Sequence, residues 1–193
     1  MRLAILFLVV SAVLTPLSRA QAPVFAITKE DSSIKFYVKA SVALEGTFDK
    51  WDATLTFTSP DATTGVLDVK IQAASVNTGS GMKDGKLKSK DFFDVEKDPL
   101  ITFRSTKIVQ TGPTTFDVPG TFTIRGVSKP ETLTLTVSGA GTGSGEIKGT
   151  MAFDRKDYGV DGSIPFIKIA DRVEVDVDLK AKRISGPPVV FKQ

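Results

Sequence analysis

The feature that most constrains this chain is a two-residue alternation of apolar and polar side chains that recurs from Ile34 to Leu179. Period 2 puts alternate residues on opposite faces of an extended strand. In SIKFYVKA, Ile34, Phe36 and Val38 share one face. Val42, Leu44, Gly46 and Phe48 continue in phase, with Gly46 expected to mark a bend or bulge. Leu55 and Phe57 oppose threonines, and Leu67, Val69 and Ile71 alternate with Asp68 and Lys70. The same rule groups Ile101 with Phe103, Phe122 with Ile124, Met151 with Phe153, and Leu133 with Leu135 and Val137. The last such run sets Val173, Val175, Val177 and Leu179 against charged residues. Eight or nine strands result, each with one apolar and one wet face.

Turn residues separate these runs at Ser59-Pro60-Asp61, Thr111-Gly112-Pro113, Arg125-Gly126, Gly139 to Gly145 and Tyr158-Gly159. The short connections predict antiparallel pairing. One-sided antiparallel strands in this number close into a barrel or stack as a sandwich. No internal repeat of 20–50 residues points to a propeller or solenoid.

Residues 77–94, NTGSGMKDGKLKSKDFFD, break the alternation. Thr78 or Ser80 is placed to cap a short helix, and Asp84 stands four residues before Lys88 as a helical pair. Gly81 and Gly85 limit that helix to one or two turns. Asp91 is placed to cap a second turn carrying Phe92 and Phe93, and Asp98-Pro99 launches the next strand. The helical segment is therefore expected near residues 79–93. One of the two phenylalanines is expected to face the interior and the other to pin the helix to the wall. The glycines also suit a mobile lid.

Residues 1–20 read as a cleaved secretory signal peptide: an early Arg2, an apolar run from Leu3 to Leu14, and Ser18-Arg19-Ala20 before the cut. The run is short of the ~20 residues of a bilayer span. A single domain over residues 21–193 and no stable membrane anchor are the expectation. Losing residues 1–20 removes two arginines and no acid, so the formal charge falls from +3 to +1. Charges of both signs are interspersed, which argues against a nucleic-acid face.

Histidine and cysteine are absent. That excludes a Ser-His-Asp triad, a cysteine nucleophile, a disulfide and a Cys/His zinc site. Two carboxylate pairs remain, Asp91 with Asp94 and Asp154 with Asp157, without a recognisable nucleophile or metal pattern beside them. They read as caps and turn residues, and no enzyme activity, metal or cofactor is expected.

Four segments together resemble the YceI-like family of bacterial polyisoprenoid-binding proteins. They are residues 32–57, the stretch ASVNTGSGMKDGKLKSKDFFDVEKDPLITFRST, GTFTIRGVSKPETLTLTV over 120–137, and FDRKDYGV over 153–160. The resemblance covers Phe25 to Lys182. It departs from the family pattern at Lys83, where arginine is frequent, at Gly85 and Lys86, where a histidine is frequent, and at Asp98, where a large residue is usual.

The resemblance implies an eight-stranded antiparallel, lipocalin-like barrel with a small helix near one end. It also implies a periplasmic or secreted carrier of an isoprenoid or other long-chain amphiphile. Lining of the tunnel is then expected from Phe36, Val38, Phe48, Leu55, Phe57, Val69, Ile71, Phe92, Phe93, Ile101, Phe103, Phe122, Ile124, Leu135, Phe153, Val175 and Val177. Head-group contacts are expected from Thr78, Lys83 and Asp84, with Arg104, Arg125 and Arg155 as further cations. By residues alone, a packed core with a structural or stress-related interaction role stands beside this reading, since eight strands enclose either side chains or one slender ligand. Homodimerisation is left open, as relatives can pair.

Overall fold

The structure is a computed structural model that describes residues 21–41, 44–139, 141–163 and 166–192. The expected signal peptide and Val42 lie outside the described residues. Eleven strand segments form one antiparallel sheet: β1 Val24–Ala40, β2 Leu44–Phe48, β3 Trp51–Thr56, β4 Val66–Gln72, β5 Val76–Asn77, β6 Leu100–Ser105, β7 Val109–Gln110, β8 Thr115–Ile124, β9 Val127–Ser138, β10 Ser144–Asp154 and β11 Ile169–Ser185. The order β11-β10-β9-β8-β6-β4-β3-β1 returns to β11, which closes an eight-membered barrel. Closure gives each of these eight barrel strands a neighbour on both sides, which leaves little free edge.

The count of segments exceeds eight because Asp49 and Lys50 break one strand into β2, which pairs with β1, and β3, which pairs with β4. Two short pieces, β5 and β7, add to β2 and β8. The period-2 faces map onto the barrel as their pattern requires: Leu133 and Leu135, and Val173, Val177 and Leu179, are all buried.

Two turns follow from residue type. Arg125 and Gly126 take positive φ values of 52° and 71° between the paired Ile124 and Val127, the conformation of a two-residue hairpin matched to strand twist. Gly46 is extended rather than kinked. It is required by close approach, because a Cβ there would stand 2.8 Å from the Phe36 ring and 2.9 Å from the Asn77 carbonyl oxygen.

The helix α1 covers Gly81–Lys88, shorter than the expected 79–93, and Lys90 to Phe93 continue as a turn. Ser80 occupies the N-cap without a side-chain bond. Asp84 instead reaches back and accepts from the Thr78 backbone N–H at 2.8 Å and from its hydroxyl at 2.7 Å. Asp84 and Lys88 form no ion pair. Asp91 caps no helical turn, because its carboxylate accepts from Lys86 at 3.0 Å. That bond holds the Asp91 pKa below its usual range.

Candidate binding lumen

The interior is apolar from end to end and is divided into two compartments. At the α1 end a cavity of about 80 Å³ is lined by residues that include Phe36, Val38, Phe48, Ile71, Phe92, Phe93, Ile101, Phe122, Ile124, Phe153 and Val175. At the opposite end a cavity of about 100 Å³ is lined by residues that include Leu55, Phe57 and Leu135. Of the seventeen expected lining residues, Val69, Phe103 and Val177 border neither.

These three belong to a waist. Along β4, Leu67 borders one cavity, Val69 neither and Ile71 the other. Along β8, Phe116 borders one, Val118 and Gly120 neither, and Phe122 and Ile124 the other. Along β10, Gly149 and Met151 stand between Ile147 and Phe153 in the same way. Phe103, Leu133 and Val177 fill the space at this level, and each is buried. The Phe103 ring lies over Gly120, where a Cβ would stand 2.6 Å from it. Gly149 likewise accommodates Leu135, at 2.7 Å from where its Cβ would be.

Phe92 and Phe93 both border the α1-end cavity. Phe92 is buried, covers Gly162 and lies under the Lys86 ammonium at 5.5 Å. Phe93 is half-buried and packs on Phe48 at 6.0 Å between ring centres. The pair closes this barrel end and joins the turn after α1 to the wall. Thr78, Lys83 and Asp84 border neither cavity. Thr78 and Asp84 are engaged with each other at the start of α1.

Among the other cations, Arg104 pairs with Asp68 on the outer surface at 2.8 Å, and Arg125 donates to the Gly159 carbonyl. Arg155 is buried at the edge of the α1-end cavity. Its guanidinium donates to the carbonyls of Ala170 at 3.0 Å, Val160 at 2.5 Å and Gly162 at 3.2 Å, and to Asp171 at 3.2 Å. These bonds commit it to holding the 155–171 connection. Tyr158, fully buried, packs edge-on against Phe122 and Phe153 and donates to Glu131 at 2.9 Å. Burial, then the Glu131 carboxylate, pushes its phenol above the usual 10, so it stays a proton donor.

The strand pattern alone missed the closure of the far end. Pro188, Val189 and Phe191 from the C-terminal tail cover the 100 Å³ cavity, and Phe191 packs on Phe116 at 5.2 Å. The signal was present in the apolar run Pro187 to Phe191, which has no strand periodicity. Leu44 and Val173 also border the α1-end cavity and were visible in the alternation.

Comparison with known proteins places this architecture. The YceI-like domain family matches residues 25–181. A UPF0312 protein of Pseudomonas savastanoi pv. phaseolicola is 33% identical over 133 residues, 66% of this chain and 69% of its own. The crystal structure of Burkholderia cenocepacia BcnA superposes with a TM-score of 0.73 at 26% identity, covering 80% of this chain and 99% of that one. A polyisoprenoid binding domain from Saccharophagus degradans, implicated in plant cell wall breakdown, shares the fold at 16% identity, with a TM-score of 0.65 over 83% of this chain and 99% of its own. A closed eight-stranded barrel and a family match over nearly all described strands establish that this chain belongs to the YceI-like domain family.

Proposed function

We propose that this protein is an exported carrier that binds one long apolar chain, such as a polyisoprenoid or quinone precursor, inside the barrel, without making or breaking a bond. The observation that carries this is the pair of apolar cavities in line on either side of a single waist. The polyisoprenoid-binding domain of the same fold supports the chemical class. Each cavity is far smaller than the ~300 Å³ at which sites for drug-sized ligands begin. A long chain therefore enters by displacing the waist, chiefly the Phe103 ring, and joins the two compartments. Each CH₂ it buries contributes about 0.8 kcal/mol, which offsets that displacement. The small cavities favour one other reading, an interaction barrel with a packed core.

Mass spectrometry of an organic extract of the protein purified after export decides between them. A stoichiometric isoprenoid or related amphiphile is expected, and Val175→Trp, which fills the α1-end cavity, is expected to lower its content. An empty extract together with no binding of added geranylgeraniol refutes the carrier reading. The same sample tests export, as its chain is expected to begin at Gln21.

A further inference from the structure

The barrel wall has one seam. β1 and β2 pair from Val38↔Leu44 to Lys35↔Thr47, and β1 next meets β3 at Val24↔Thr56. Among the described residues, no ladder pair joins these strands between those points. Each flank is anchored elsewhere. β3 pairs along its whole length with β4. β1 pairs with β11 but bulges between Thr28↔Lys180 and Ser33↔Asp178. There Ser32 stands in for the ladder, accepting from the Lys180 N–H at 2.8 Å and donating to the Thr28 carbonyl at 2.6 Å. The flanks can thus part without breaking a backbone ladder. Among the described residues, the polar side-chain link across the seam is the exposed Lys29–Asp52 ion pair, a weak latch.

Outside the seam lies a polar cleft of about 460 Å³. Ile34 and Phe48 border both this cleft and the α1-end cavity, so two side chains are the partition between water and lumen. Lys29, Asp49, Lys50 and Asp52 all line the cleft, two cations and two carboxylates, so it carries no net charge. Such a site disfavours a pyrophosphate and suits an uncharged head group that donates and accepts hydrogen bonds.

Resting on the carrier reading above, we propose that this seam is a lateral portal. An apolar chain passes between Ile34 and Phe48 into the α1-end compartment, and an uncharged head group such as a hydroxyl, amide or quinone carbonyl stays in the cleft.

The absence of native cysteine permits a clean test. In Lys29→Cys/Asp52→Cys, a short thiol-cleavable bifunctional linker staples the seam. Uptake is followed by the fluorescence of parinaric alcohol, a slender polyene with an uncharged head. Loss of uptake on stapling, recovered on cleavage, is the expected result. Equal uptake in stapled and cleaved protein overturns the portal while leaving the carrier reading intact. No uptake by wild-type protein overturns both. Lys29→Ala, which alters no buried residue, removes the latch without a staple. It is expected to speed release, and unchanged release also counts against the portal.

Discussion

Replacing Phe103 by alanine separates the cost of opening the waist from the gain of filling the lumen. The ring is buried, bears on Gly120 and borders neither cavity. Truncating a buried Phe costs about 3–5 kcal/mol. A domain of this size loses about 2–4 °C in Tm per kcal/mol, so ligand-free Phe103→Ala is expected to melt roughly 6–20 °C lower. Binding moves the opposite way for a ligand long enough to cross the waist. An isoprene unit of about five carbons is worth roughly 4 kcal/mol when buried, and in the variant that unit no longer displaces a ring. Geranylgeraniol should therefore bind Phe103→Ala more tightly than wild type, while geraniol, short enough for one compartment, should gain little. Thermal melts by circular dichroism and titration calorimetry with both prenols supply the readouts. Equal gains for both, or a weaker grip on geranylgeraniol, would refute the waist as the barrier. A fall of only a degree or two would refute the packing.

Two further outcomes follow from the Arg155 network at the edge of the α1-end cavity. Arg155→Met strips hydrogen bonds from the carbonyls of Val160, Gly162 and Ala170, and is expected to cost about 3 kcal/mol or more, read as a Tm lower by roughly 6–12 °C. Asp171 accepts from Lys156, and chiefly through that bond, with Arg155 adding charge, its carboxyl is held below the usual 3.8. A lowered pKa gives stability that is present above the ordinary carboxylate range and is lost as pH falls through the lowered value. Asp171→Asn should accordingly bring the acid-side Tm profile of the variant and wild type together at low pH and separate them at neutral pH. A constant offset at every pH would sink this assignment.

Much of the fold was legible because strands report themselves locally. Period-2 burial identified the inward faces of β1, β4, β6, β8, β9, β10 and β11, and Arg125-Gly126 announced its hairpin through the positive φ that glycine tolerates. The helix ends before its local pattern predicts, and Phe92 and Phe93 are held instead by contacts with Gly162 and Phe48, which no local pattern contains. Charge and capping place Thr78, Lys83 and Asp84 at the helix start, yet Asp84 satisfies Thr78 there instead of bordering the lumen.

By itself the sequence determined which side chains point inward and that the strands are antiparallel, since both depend on neighbours two residues apart and on short turns. Only the tertiary structure decided that the interior is divided. The waist arises where Phe103 meets Gly120, residues seventeen positions apart that register brings together across β6 and β8. The seam arises because β1 follows β11 and β3 follows β4, so the ladder between them lapses over Phe25 to Ile34. Both are properties of strand pairing around a closed ring, where each register is set by the sum of all the others, and no local stretch of chain carries that sum.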